Sequence, residues 1–307
     1  MRTVVTGGTG VIGRAAVRAL VGADHDVVVV TRSTESSDAV TRMGARPVAG
    51  NIFDVDSLES AYQGAEAVIN LAASAPVGHS ALLPGAWRRH DRLRTTGVTN
   101  VVEAARRAGV RRVVQESVSF MYADQGDDWI TEHSPLEISS MTEPAAVGES
   151  HVQDYACDSR VGVVLRFGTI VGDDGQTRHW LRAARHGRGI GIGHPSDWAH
   201  VIHTDDLGGA VLASLHAPSG VYNVGAEPVQ RLDLVQGYAD AAGVGSGAFM
   251  GSLGRWLIGP RLEPLCRSLR VCSDHFAAQT GWRAVRPKFD AGWLDAAREG
   301  LAAPVPS

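Results

Sequence analysis

A chain of 307 residues that is 44% hydrophobic and 20% charged can bury one large domain or a domain with an attached lobe. Its formal net charge of −4 comes without any Lys/Arg block, which excludes the electrostatic footprint of a nucleic-acid or anionic-membrane binder and leaves a small-molecule substrate as the expected partner. Apolar runs such as Asp26–Val30 and Gly162–Leu165 fall far short of the roughly 20 residues that span a bilayer, and Met1–Thr6 leads straight into a Gly-rich turn with no room for an export signal, so a cytoplasmic protein is expected.

From Thr3 onward, short β-branched runs alternate with amphipathic stretches, the pattern of βαβ units. Strands are predicted at Thr3–Thr6, Asp26–Val30, Arg46–Val48, Ala67–Asn70, Arg112–Gln115 and Gly162–Arg166. Apolar Leu93, Val98, Val101, Val102 and Ala105 mark a helix over Asp91–Ala108, closed by Gly109. After Gly172 a Gly-, Arg- and Trp-rich stretch runs to His200. A helix at Asp206–Leu215, a Val-Tyr-Asn-Val strand and a Gly-rich tail follow, with Gly243–Gly254 expected as a mobile loop. The fold class is α/β: a doubly wound parallel sheet of the Rossmann type with a smaller C-terminal substrate lobe. The expected division gives 1–171, with 201–226 returning to it, to the NADP-binding domain, and 172–200 with 227–307 to the lobe.

Thr6-Gly7-Gly8-Thr9-Gly10-Val11-Ile12-Gly13 follows a strand and opens a helix, the context that gives a glycine motif its meaning. Gly7 permits the tight turn and Gly10 lets the backbone approach a pyrophosphate. Gly13 allows close helix packing, and the helix N-terminus at Val11 and Ile12 favours the anion, with Thr9 on the turn between. NAD-selective sites carry an acid about 20 residues on, at the end of the second strand. Here that end reads Val30-Thr31-Arg32-Ser33, and Asp26 stands at the wrong end of the strand. Arg32 can bind a 2′-phosphate through charge-assisted hydrogen bonds and Ser33 can add a hydroxyl, so NADP(H) is expected over NAD(H).

These residues, continued by Gly50-Asn51-Ile52-Phe53-Asp54, Asn70-Leu71-Ala72-Ala73, Thr96–Ala105, Leu165-Arg166-Phe167-Gly168-Thr169-Ile170-Val171-Gly172, His203-Thr204-Asp205-Asp206 and Thr280-Gly281-Trp282, resemble the extended or atypical short-chain dehydrogenase/reductases, the NAD-dependent epimerase/dehydratase group. The resemblance implies that Asn51 and Ile52 flank the adenine, that Leu71, Ala72 and Ala73 line the cofactor, and that Phe167, Gly168 and Thr169 lie near the nicotinamide. It also implies a homodimer through helices such as Asp91–Ala108.

The family's chemistry rests on a Ser or Thr after the fifth strand and on a Tyr-x-x-x-Lys pair. No tyrosine of this chain has lysine four residues on, and the single lysine is Lys288. Counting back from Glu149, the pair's positions fall on Met141 and Ala145. In Gln115–Tyr122 the ungapped register puts Val118 at the hydroxyl's place, with Ser117 and Ser119 flanking it. Ser117, Ser119 and Tyr122 are therefore the candidates to orient or protonate a substrate.

Other residues read as structural. Cys157, Cys266 and Cys272 lack Cys-x-x-Cys spacing and suggest neither disulfides nor zinc. His200 and His203 lack a suitably spaced third ligand, so no metal is expected. Thr204 and Asp205 read as a helix N-cap. Trp180, Trp198, Phe249 and Trp256 read as lobe core, or else as an apolar pocket, and Tyr155 as part of a helix face. Three functions remain open: an NADP(H)-dependent oxidoreductase on a small, fairly apolar carbonyl or alcohol with a non-standard proton donor; a redox-neutral isomerase, dehydratase or cyclase with the cofactor as scaffold; and a non-catalytic NADP(H)-sensing protein.

Overall fold

The computed structural model describes residues 1–83, 85–251 and 260–302; Trp256 and the last residues of the Gly243–Gly254 stretch lie outside them. Seven parallel strands form the main sheet: β1 (Arg2–Thr6), β2 (Asp26–Thr31), β3 (Arg46–Ala49), β4 (Ala67–Asn70), β5 (Arg112–Val118), β6 (Val161–Phe167) and β10 (Gly220–Val224). Their order is β10-β6-β5-β4-β1-β2-β3. Both faces are covered, which is why the strands read as near-continuous valine rather than as alternating. Val4, Val28, Val68 and Val113 face one apolar cluster, with α3 (Val55–Tyr62) and α5 (Val98–Arg107). Val5, Val29, Ile69 and Val114 face the other, under α1 (Val11–Gly22) and α8 (Leu207–Ser214). The strand order reverses between β1 and β4, and the carboxyl ends of the strands at such a switch point are where ligands bind in doubly wound sheets.

Several elements depart from expectation. The Asp91–Ala108 helix begins earlier, as α4 (Arg88–Arg92), passes through a π turn at Leu93–Gly97 and continues as α5. β5 runs on to Val118, paired residue for residue with β6. The cap expected from Thr204 and Asp205 is supplied by His203, whose Nδ1 accepts from the Asp205 amide at 3.2 Å. Tyr155 lies just beyond α6 (Glu143–Gln153), fully buried, and donates its hydroxyl to the Val110 carbonyl.

Short strands β7 (Thr169–Val171) and β9 (Val201–His203) pair with each other beside the main sheet. A third apolar cluster includes Leu181 of α7 (Gly175–Arg185), Tyr238 of α9 (Arg231–Ala242) and Ala297 of the helix at Asp295–Ala302. Trp180 and Phe249 pack against this cluster, and Trp198 donates Nε1 to Asp127 at 2.8 Å while flanking Arg270. These three aromatic side chains are structural. Among the described residues no helix is long and apolar enough to cross a membrane.

Candidate functional site

The glycine turn joins β1 to α1 at the switch point. Gly7 adopts φ +77°, and a Cβ there would sit 2.5 Å from the Leu71 carbonyl, so the turn rests directly on the backbone after β4. At Gly13 a Cβ would come 2.1 Å from the Gly7 oxygen, so only glycine lets α1 start this close to the turn. Gly10 differs: it has φ −72°, and a Cβ would meet only the Gly7 oxygen, at 3.3 Å. No side chain caps α1. A helix of 12 residues whose first amides no side chain caps fits an anionic phosphate group. Val11 and Ile12 are half-buried against the core, leaving their amides as the available groups, and Thr9 accepts from Arg14 through its carbonyl at 2.7 Å.

The remaining expected cofactor residues occupy the carboxyl ends of neighbouring strands. Arg32, after β2, is exposed and without a hydrogen bond or ion pair among the described residues. Ser33 caps α2 (Thr34–Arg42), accepting from the Ser36 amide at 3.3 Å, so its hydroxyl is already engaged. Asn51 is exposed, with Oδ1 accepting from Phe53 N at 3.1 Å, and Ile52 is buried with its carbonyl held by Asn100. Sequence reasoning missed Arg92 of α4, whose guanidinium lies 4.0 Å over the Phe53 ring. After β4, Leu71 is buried, Ala72 half-buried and Ala73 exposed. Asn70 holds this segment: its Oδ1 accepts from Thr6 Oγ1 at 2.5 Å and from the Ala72 amide at 3.3 Å, while Nδ2 donates to Gln115 at 2.7 Å. After β6, Phe167 is buried in the core, and the amides of Gly168 and Thr169 bond to Val224 O at 3.0 Å and His200 O at 2.8 Å.

Of the three hydroxyls of the Ser117–Tyr122 segment, those of Ser117 and Tyr122 are engaged in interior hydrogen bonds. Because β5 extends to Val118, Ser117 lies within the strand and points toward α6, donating to Glu149 Oε1 at 2.5 Å. Arg166 of β6 grips the same carboxylate, Nε to Oε1 at 3.0 Å and Nη2 to Oε2 at 2.7 Å. Its Nη1 donates to the Tyr122 hydroxyl at 2.9 Å, and that hydroxyl donates to Asn223 at 2.7 Å. Burial pushes the Tyr122 phenol up, with Arg166 partly opposing it, so it is a poor proton donor at neutral pH. Burial alone would lower the Arg166 guanidinium, but Glu149 and Tyr122 outweigh it and hold it above its ordinary range. Ser119 is fully buried, and its Oγ has no partner, the one uncommitted hydroxyl of the three.

Met141 is half-buried ahead of α6 and Ala145 buried within it; neither carries a titratable group. Lys288 lies at the surface 3.6 Å from Glu227, with its side chain 74% exposed. Sequence reasoning also missed Arg94, in the π turn, which is 4% exposed and bonds through Nη2 to both oxygens of Glu116 on β5, at 2.7 and 2.9 Å. A π turn is a frequent mark of a functional site. His203 faces the Trp293 carbonyl at 3.3 Å and carries the Asp205 amide, so its ring is committed to fold-holding bonds.

A doubly wound parallel sheet with an uncapped glycine turn at its switch point defines a nicotinamide-dinucleotide-binding α/β enzyme. The chain belongs to the NAD dependent epimerase/dehydratase family, whose model matches residues 3–225. Its relatives include reductases and UDP-glucose 4-epimerases. It is 28% identical, over 95% of its length and 99% of the relative's, to a 3-diazoavenalumate denitrifying reductase from Streptomyces. In fold it resembles a human epimerase family protein solved with NADPH, at TM-score 0.80 and 23% identity, covering 97% of this chain and 99% of that one. It also resembles a UDP-glucose-4-epimerase from Stenotrophomonas maltophila with bound NAD and formylated UDP-arabinopyranose, at TM-score 0.76 and 20% identity over 99% and 100% of the two chains.

Proposed function

We propose that this protein is an NADP(H)-dependent reductase of a small, fairly apolar electrophile such as a carbonyl compound. The observation that carries the cofactor preference is Arg32, an exposed guanidinium with no partner at the strand end where an NAD-selective site would place an acid. When bound, the nicotinamide would supply a hydride. Gly10, Val11 and Ile12 would hold the pyrophosphate, and Arg32 the 2′-phosphate. Asn51 and Ile52 would flank the adenine, while the Leu71–Ala73 and Phe167–Thr169 segments line the rest. Ser119 keeps the only free hydroxyl of the β5 segment and would orient the acceptor. We assign further substrate contacts to the lobe, 172–200 and 227–307.

The near full-length reductase relative and the NADPH-bound neighbour support this reading. A redox-neutral isomerase, dehydratase or cyclase depends on moving protons, yet Met141 and Ala145 cannot, and the hydroxyls of Ser117 and Tyr122 are engaged. Hydride delivery tolerates that poverty better. A ketone still needs one proton after the hydride, whereas an aryldiazonium, the kind of group the relative's name records, takes up hydride and releases dinitrogen with none. Family membership favours turnover over a sensing role.

The test uses NADPH deuterated at the transferring carbon with aryl ketones, quinones and aryldiazonium salts. Deuterium in the product, matched by loss of reduced-nicotinamide absorbance, is expected. Conversion without that loss would put the redox-neutral reading first. A homodimer through α4, α5 and α6 is the proposed assembly. Val147 is the only large, exposed apolar residue described on those helices, so sedimentation should show a weak, concentration-dependent dimer.

A further inference from the structure

On α4 and the π turn, Trp87, His90, Asp91 and Arg94 recur at helical spacing and share one face. Arg261, from the segment Pro260–Cys266, lies with its guanidinium 5.2 Å over the Trp87 ring and bonds through Nη2 to both oxygens of Asp91, at 2.7 and 2.8 Å. The Trp87 and His90 rings meet edge-on at 5.4 Å. Arg94 grips Glu116 in the same manner, through Nη2 alone. Each guanidinium thus engages its carboxylate through Nη2, and its Nε takes no part in that contact.

Three nitrogens of this cluster, His90 Nδ1, Arg94 Nε and Arg261 Nε, are buried without a hydrogen-bond partner among the described residues. His90 is only 7% exposed. Burial, Arg94 and Arg261 push its pKa down to about 3, which leaves a neutral ring at pH 7. Buried donors without acceptors are rare in folded proteins, because each one forfeits the water it left. Two guanidinium Nε–H groups without a hydrogen-bond partner among the described residues, beside a neutral imidazole that can donate through one of its nitrogens, match the lone pairs of a planar anion. Glu116 stands beside Ser117, two residues before the carboxyl end of β5, which sets the cluster at the edge of the sheet that forms the candidate crevice.

We propose that Trp87, His90, Arg94 and Arg261 form an anchor for a carboxylate of the substrate, so that the acceptor is an apolar body with an anionic end. The location of the reacting end rests on the reductase reading above. The Trp87 ring would cover the apolar part next to the carboxylate, while N–H groups of the arginines and His90 donate to its oxygens.

The test is calorimetric titration of the full chain, with and without saturating NADP⁺, using benzoate and its neutral counterpart benzamide. Benzoate should bind at least about tenfold more tightly than benzamide, the scale of one charge-assisted hydrogen bond. Arg261→Gln should abolish that preference while NADP⁺ affinity stays within about twofold. Arg94→Gln alone would strand Glu116 in the interior, so Arg94 is tested in the pair Arg94→Gln/Glu116→Gln, which removes both charges together and should also erase the preference. Equal binding of the two probes, no binding of benzoate, or a preference that survives in both variants overturns the anchor. NADP⁺ failing to bind the wild-type chain while benzoate binds selectively would instead overturn the reductase reading and leave the anchor standing.

Discussion

Arg32 and the two serines flanking Val118 are positions where fold and function come apart. Arg32 is exposed and makes no hydrogen bond or ion pair among the described residues, so Arg32→Ala should leave stability unchanged while weakening NADPH by roughly 1.5–3 kcal/mol, the scale of hydrogen bonds to a charged group, and leaving NADH nearly unaffected. Titration calorimetry with both cofactors decides, and equal losses would sink the NADP(H) assignment. Ser117 and Ser119 make opposite predictions. Ser117→Ala removes a buried donor to the Glu149 carboxylate and should lower unfolding free energy by about 1.5–3 kcal/mol. Ser119→Ala removes a buried hydroxyl that has no partner, so stability should hold or rise by up to ~1 kcal/mol. If that hydroxyl orients or protonates the acceptor, kcat/KM falls at least about 10²-fold in the same folded variant. Wild-type turnover in Ser119→Ala would remove the β5 segment from the chemistry.

At the scale of elements, the β1–α1 turn separates two kinds of glycine. Gly13→Ala drives a Cβ to 2.1 Å from the Gly7 oxygen and should destabilise the cofactor-free protein. Gly10→Val meets one tight contact, its Cβ 3.3 Å from the Gly7 oxygen, at an ordinary φ of −72°, so the cofactor-free melting temperature should fall much less than in Gly13→Ala, while stabilisation by NADPH disappears because the side chain stands over the helix amides. Retained stabilisation by NADPH would mean that the turn is purely structural. These glycines were legible in the sequence because turn, helix start and strand are local, and the valine runs of β1, β2 and β4 were legible for the same reason. The polar interior was not. Arg94 finds Glu116 22 residues away and Arg166 finds Glu149 17 residues away, pairings set by how β5, β6 and α6 pack rather than by any spacing. The sequence ended β5 at Gln115, because Glu-Ser-Val carries little strand signal of its own. Pairing with β6 through Ser117↔Arg166 and Val118↔Phe167 extends it, turning what read as an active-site loop into a strand with Ser117 facing inward. The π turn that carries Arg94 left no mark distinguishable from ordinary helical periodicity.

For the molecule as a whole, acid is the condition that should undo the fold. His200 sits where the main sheet meets β9, its carbonyl bonded to Thr169 N and its ring against Gly225, with both ring nitrogens buried and unpartnered. Burial lowers its pKa from 6.5 to about 3, and His90 is lowered to about 3 as well by burial, Arg94 and Arg261. The folded protein therefore binds fewer protons than the unfolded chain throughout that interval. The stability these rings contribute is fully present above the unfolded value of 6.5 and is lost progressively as pH falls toward 3. Asp174 and Asp206, both raised by burial, act in the opposite direction, but nearer the carboxylate range. Around pH 5 each histidine should cost roughly 1.4 kcal/mol per pH unit, so the two together remove a large share of the ~5–15 kcal/mol that typically separates folded from unfolded. His200→Leu loses no hydrogen bond and cannot take up a proton. Urea denaturation of this variant should give an acid slope shallower than wild type by about one histidine's worth, with the two proteins converging in pH dependence above neutrality. An unchanged slope would show that His200 titrates normally and that its burial carries no electrostatic cost.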